Sequence, residues 1–229
     1  MRSRPIIAID GPAASGKSST ARAVAASLGY VHLDSGAVYR ACTLVALDSL
    51  GAPQSWTAEK VASTAHAAGV AVRSATGALE VLVGGRNAEP AIRADRVTAE
   101  VSRVAAMGPV RDFVNGLLRR SAQNGGVVMD GRDIGTVVFP DADVKIFMVA
   151  DAEERARRRL AEKGVQQDRR SLEAEAGALV DRDRRDSKRE VAPLAMAPDA
   201  VMLDTTAMSF PDQVAMVVTL ARKAAERYR

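Results

Sequence analysis

Eight consecutive residues constrain this chain more than anything else in it: Gly11-Pro12-Ala13-Ala14-Ser15-Gly16-Lys17-Ser18, a complete G-x-x-x-x-G-K-[ST] phosphate-binding loop. Ahead of it, Pro5 to Asp10 (PIIAID) is a short β-branched apolar run that reads as a buried strand. Behind it, Ser18 to Leu28 is Ala-rich, with Ala21, Val24, Ala25 and Leu28 at helical spacing. Strand, glycine-rich loop and helix together wrap a phosphate in backbone N–H groups, and the helix N-terminus adds partial positive charge. Lys17 has the reach for β- and γ-phosphates, and the Ser18 hydroxyl is placed to ligate Mg²⁺. The pattern predicts that the chain binds a nucleoside triphosphate.

A chain of 229 residues accommodates one large α/β domain, or a core domain that carries an inserted subdomain. Its longest apolar runs are strand-sized, so no membrane-crossing helix is expected, and MRSR leads into a strand without the apolar core of a signal peptide. The single cysteine, Cys42, allows no internal disulfide and fits a reducing cytoplasm; a small buried hydrophobe is its expected role. A net charge of +4 and a pI near 9.5 raise the question of nucleic acid. The pattern argues against it. Between Asp151 and Glu190, twelve Lys/Arg interleave with eleven Asp/Glu, and aromatic residues for base stacking make up 3% of the chain. The positive excess reads as pockets for small phosphorylated ligands.

Val31 to Asp34 reads as a second strand, with Ser35-Gly36 turning into a helix from about Ala37 to Leu50. Arg40 in that helix is either a surface arginine or the fork of a second anion crevice, and the adjoining strand end favours the crevice. Thr57 to about Arg96 has a different texture: a helix over Thr57 to Ala68, then strands Val70–Arg73 and Leu79–Val83, turned at Gly77 and closed by Gly84-Gly85. Thr98 to Arg120 reads as two helices separated at Gly108-Pro109, on which Ser102 and Arg111 read, by spacing alone, as surface residues. Val127–Asp130, Val144–Ala150 and Val201–Asp204 complete five apolar strands, the signature of a parallel sheet covered on both faces. Four of the five end in Asp10, Asp34, Asp130 and Asp204, at the sheet edge where ligands of such folds bind; Asp130 is the first choice to orient Mg²⁺. Ala152–Ala161 and Leu172–Ser187 read as two arginine-rich helices around a polar break at Gln166–Ser171: either a solvated pair or a lid over a transferring phosphoryl group. Arg182, Asp186 and Arg189 share a face, and Phe210 to Tyr228 closes the chain as an amphipathic helix.

No N-K-x-D base-reading motif of a GTPase is present. A phosphate loop facing a second arginine-bearing crevice instead suits phosphoryl transfer, which needs alignment, Mg²⁺ and positive charge on the moving oxygens. The acceptor would itself be phosphorylated.

Four segments then make a specific combination: IDGPAASGKS (9–18), LDSGAVYR (33–40), DGRDIGTVVFPDADVKIF (130–147), and RDSKREVAPL (185–194) with DAVMLDTT (199–206). Together they resemble the bacterial cytidylate kinases, over nearly the whole chain. The resemblance implies an α/β P-loop fold of the adenylate kinase type: a five-stranded parallel sheet flanked by helices, a small α+β insert for the nucleoside monophosphate, and a helical lid. It divides the chain into core (1–56), insert (57–96), core (97–150), lid and acceptor-binding helices (151–190) and core (191–229). It also implies phosphoryl transfer from ATP to CMP or dCMP. The residues themselves, with no long exposed apolar seam, lead to the expectation of a cytoplasmic monomer that engages neither nucleic acid nor membrane. Gly11 to Ser18 and Ser19 would bind ATP. Ser35, Arg40, Arg132 and Arg189 would hold the acceptor phosphate, Ser102, Arg111 and Asp133 would read cytosine, and Arg182 and Asp186 would contact the sugar. Lys17, Asp130, Arg157 and Arg158 would serve catalysis, with Ser18 on the metal. A kinase for another nucleoside monophosphate or a shikimate-like acceptor, or a nucleotide-dependent regulator that binds nucleic acid, remains the alternative.

Overall fold

A computed structural model describes residues 4–75 and 78–228. Its centre is β1 (Ile6–Asp10), five residues that are all buried. The apolar runs predict five parallel strands, and the structure sets them in the order β2 (Val31–Asp34), β6 (Val127–Gly131), β1, β7 (Val144–Val149), β8 (Val201–Asp204). Side chains alternate across the central strand, and both faces are covered. Ile6 and Ala8 pack with Leu33 and Met129 beneath α2 (Ser35–Ser49), α4 (Asp95–Val104) and α5 (Gly108–Ser121). Ile7 and Ile9 face the other way, onto α1 (Lys17–Leu28) and α8 (Phe210–Ala225). Register brings Asp34 beside Asp130 and Asp10 beside Gly131, so the strand ends form one rim.

The insert segment joins this sheet. After α3 (Ala58–Ala67), capped by the Thr57 side chain, β3 (Ala71–Ala75) and β4 (Ala78–Val83) pair antiparallel, and β4 meets β2 in parallel at His32↔Ala78. The expected turn residue Gly77 lies outside the described residues. Gly84-Gly85 do not close the unit: they turn the chain into a third short strand, β5 (Arg86–Asn87), two residues too brief to show a pattern.

Three helix boundaries differ from expectation, each because of a cap. Asp34 accepts the Ala37 N–H, so α2 begins at Ser35 and takes Ser35-Gly36 into its first turn. Gly164 in left-handed conformation ends α6 (Ala152–Lys163). Asp168 accepts the Ser171 N–H at 2.8 Å, starting α7 (Arg169–Ser187) inside the expected polar break. The break between α4 and α5 falls ahead of Gly108, and Pro109 sits in the first turn of α5, where its missing N–H costs nothing. Among the described residues no helix is long and apolar enough to cross a membrane.

Candidate active site

Beyond the strand ends lies a cavity of about 710 Å³ that joins the phosphate loop to α2, α4, α5 and α7. The loop's shape depends on glycine at its root. A Cβ at Gly11 (φ 151°) would meet the Met148 carbonyl oxygen at 2.1 Å, so the chain leaves β1 there only with glycine. Gly16, at φ 89°, stands at the N-cap of α1 without a capping side chain, leaving the first-turn N–H groups to a ligand. Ala13, Ala14, Gly16, Lys17, Ser18 and Ser19 line the cavity; Gly11, Pro12 and Ser15 form the back of the loop. Lys17 donates Nζ to its own loop at Pro12 O (2.7 Å). Burial, with Arg132 and Arg182 adding to it, lowers its pKa to about 7 against the pull of Asp130 and Asp34.

The four strand-end carboxylates separate by environment. Asp10 accepts the N–H groups of Ile134 (2.8 Å) and Gly135 (2.7 Å), and burial raises its pKa to about 6. Asp34 caps α2 and accepts from Arg93 (3.0 Å), and Asp204 closes an exposed turn onto Thr206. Asp130 is the one of the four that is hydrogen-bonded to the phosphate loop. One oxygen accepts from the Ser18 hydroxyl, and the other meets His32 Nε2 at 2.7 Å. The carboxylate named first for Mg²⁺ thus lies beside the loop serine. Among the described residues no group of three or more His, Cys, Asp and Glu side chains could hold a metal, which leaves Ser18 and Asp130 as a sparse set of hard oxygen donors.

Across the cavity, arginines on separate elements are held in place by carboxylates and carbonyls. Arg40 is buried and donates to Ile92 O (3.2 Å) and Thr98 Oγ1 (2.9 Å). Ser35 donates to Asp130 O at 2.8 Å. Asp186, at the end of α7, accepts from Arg132 Nε (2.9 Å) and from Arg189, which lies beyond the helix yet folds back. Burial works against the Asp186 charge, but Arg132, Arg189 and Arg182 outweigh it and hold the carboxyl below its usual range. Arg111 reverses the surface expectation: it is 2% exposed, bonds Asp133 and Ala105 O (3.0 Å), and lies 5.4 Å from the Tyr39 ring centroid. Burial raises the Asp133 pKa despite Arg111, Arg189 and Arg132. Ser102 lines the same end, half-buried. Arg182 is pushed down to about 10, first by burial and then by Arg132. Nine cationic side chains and six carboxylates line the cavity, an excess that suits a ligand carrying several phosphates.

The predicted lid arginines need correcting. Arg157 is exposed and paired with Glu153 and Glu154, so it stays out of the cavity. Arg158 sits behind the loop, donating to Ser15 O (3.3 Å) and Thr205 O (2.6 Å). Arg159, absent from the expected set, lines the cavity instead, as do Arg22, Tyr39 and Arg93. Sequence reading also passed over Arg155 and Asp183, which pair beneath the loop, and His32 behind Asp130.

A family model described as cytidylate kinase matches residues 7–223. The chain belongs to the cytidylate kinase family. A cytidylate kinase of Pelodictyon phaeoclathratiforme is 46% identical, covering 96% of each chain. Those of Lactococcus lactis subsp. cremoris strain MG1363 and Chlorobaculum tepidum are each 43% identical, covering 95% and 97% of this chain and 97% and 94% of the relative. Among solved structures, an uncharacterised protein from Eubacterium ventriosum aligns with a TM-score of 0.53 at 10% identity, covering 96% of this chain and 99% of its own, a likeness of fold alone. Of the segments that carry the resemblance, 9–18, 33–40, 130–147 and 185–194 each send residues into this cavity, and 199–206 does not.

Proposed function

We propose that the protein transfers the γ-phosphoryl group of ATP to CMP or dCMP, giving ADP and CDP or dCDP. The observation that carries this is the buried Arg111–Asp133 pair, set in the same cavity as the phosphate loop. Cytosine offers an exocyclic amino donor that Asp133 accepts, beside ring acceptors for Arg111 and Ser102. Uracil presents a carbonyl there and leaves the carboxylate repelled. Ser35, Arg40, Arg132 and Arg189 take the acceptor phosphate, and Arg182 and Asp186 take the sugar. Held between these groups and Lys17, an acceptor phosphate oxygen attacks the γ-phosphorus while its bond to the bridging oxygen breaks. Lys17 stabilises the charge that moves, while Arg158 braces the loop from behind. Ser18 and Asp130 fit Mg²⁺, an ion that keeps most of its waters and uses few protein oxygens; when bound it neutralises phosphate charge.

The insert (57–96) and the helices of 151–190 are read as the parts that close on acceptor and donor. The cations gather inside a small-molecule cavity, which favours a metabolic kinase over a nucleic-acid binder. A cytoplasmic monomer is the accompanying reading, with Cys42 buried and its thiol pushed up to about 12 by that burial. The test is ADP release from ATP and Mg²⁺ with CMP, dCMP, UMP and AMP offered separately. Strong preference for CMP and dCMP is expected; equal, feeble turnover with all four would overturn the acceptor.

A further inference from the structure

We propose that Arg155 and Asp183 are positioning residues for the phosphate loop, holding the Ala13 residue by both of its backbone polar groups. They come from different helices, Arg155 from the first turn of α6 and Asp183 from the last third of α7. Asp183 Oδ1 accepts the Ala13 N–H at 3.1 Å, and Arg155 Nη1 donates to Ala13 O at 3.1 Å. The same Arg155 nitrogen donates to Asp183 Oδ2, which closes a ring of three hydrogen bonds. Arg155 is buried, and beside it Ala13, Ala156 and Leu179 form an apolar cluster with Ala14, Leu172 and Ala176 packed around them.

A second observation says why the loop needs holding. Ala14 has φ 58°, a left-handed conformation that residues with a Cβ adopt only when their surroundings impose it. Ala13 precedes it and is fixed by Arg155 and Asp183; Ser15 follows it and is fixed through its carbonyl by Arg158. The strained residue is therefore pinned on both flanks by the helices that carry the lid arginines. A loop shaped this way presents its N–H groups to a phosphate without reorganising. The helix pair that would close over the donor also sets the geometry of the donor's binding loop.

Polarity separates this role from that of a strut between α6 and α7. Exchanging the two residues (R155D with D183R) keeps an ion pair between the helices. It also turns a carboxylate toward Ala13 O and a guanidinium toward its N–H, both repulsive. D183N is the milder probe, since it removes the charge and keeps an acceptor.

The inference rests on ATP as the donor. The experiment therefore measures ADP binding by calorimetry and KM for ATP and CMP, with Tm alongside, in wild type, D183N, the R155D and D183R singles and the exchange. D183N should raise KM for ATP and Kd for ADP about ten-fold, leaving KM for CMP within about two-fold. The exchange should recover Tm relative to the singles without recovering ADP affinity. Recovery of both, or equal loss for ATP and CMP in D183N, would make the pair a strut and overturn the proposal. If the exchanged protein does not fold, A14G/D183N decides. Glycine takes the left-handed conformation unaided, so ADP affinity should rise above that of D183N, and no rise overturns the proposal. Failure of the wild type to bind ADP would instead strike the donor reading.

Discussion

Whereas the end of the cavity proposed for the donor is built from one run of backbone, the end proposed for the acceptor is assembled from side chains that start far apart. The phosphate loop turns on glycines and lies against Met148 so tightly that no other residue fits at Gly11. The acceptor wall takes Arg40 from α2, Arg111 from α5, Arg132 and Asp133 from the segment after β6, and Asp186 and Arg189 from the end of α7. Backbone N–H groups cost no side-chain entropy to aim. Buried arginines cost desolvation, and carboxylates offset it for Arg111, Arg132 and Arg189, while a carbonyl and a hydroxyl hold Arg40. The difference teaches where each end is vulnerable. The donor end depends on the loop's shape and one cation; the acceptor end depends on every member of its ion-pair network.

Removing that one cation should have the largest effect. Lys17→Ala should lower kcat about 10³-fold in steady-state assays. Near-normal turnover would move charge stabilisation elsewhere and erase the contrast. Next comes the acceptor network. Asp133→Asn should cut kcat/KM for CMP about 100-fold and collapse the CMP-to-UMP ratio. It leaves Arg111 buried without its counter-charge, so denaturant titration should show about 3 kcal/mol less stability. An unchanged ratio would place base reading on other residues.

The lid arginines give a smaller, sharper test. Arg158→Ala should raise KM for ATP about ten-fold through its lost hold on Ser15 O, by the worth of a charge-assisted hydrogen bond. Arg157→Ala should stay within about two-fold, since exposed i,i+4 pairs contribute little. Equal losses would mean that the helix turns on closing.

The smallest expected signal is a proton. In the free protein Lys17 is pushed down to about 7, chiefly by burial, so at pH 8 its ammonium is mostly deprotonated. Phosphates bound beside it favour the charged form and raise its pKa. ATP binding at pH 8 should therefore take up a proton, and affinity should fall as pH rises above 7. Calorimetry in buffers of different ionisation enthalpy reads the uptake directly; none at all would mean that Lys17 is already charged in the free loop.

How much of this was legible follows the same divide. The phosphate loop, the five parallel strands and the helix pair are local patterns, readable from apolar runs and spacing. The residues proposed for the acceptor were named through the family resemblance; spacing left Arg111 on a surface, and it is buried. Arg157 was expected in the site and Arg159 was not, for a geometrical reason. On a helix of 3.6 residues per turn, the apolar pair Ala156 and Leu160 leaves Arg157 and Arg159 about 80° to either side. Nothing in α6 itself distinguishes the two flanks. Packing against α7 and the phosphate loop does, and it turns Arg159 to the cavity and Arg157 to solvent.

The sequence by itself determined a phosphate-loop motif between a first strand and its helix, on a parallel sheet with carboxylates at its rim. Glycine conformation, strand hydrophobicity and helix polarity act over a few neighbouring residues, so they are written where they act. Only the tertiary structure decided which carboxylate met Ser18, which arginine faced the cavity, and that Arg155 and Asp183 closed on Ala13. Those outcomes depend on burial and charge pairing between residues up to 170 positions apart, and only packing brings such residues together.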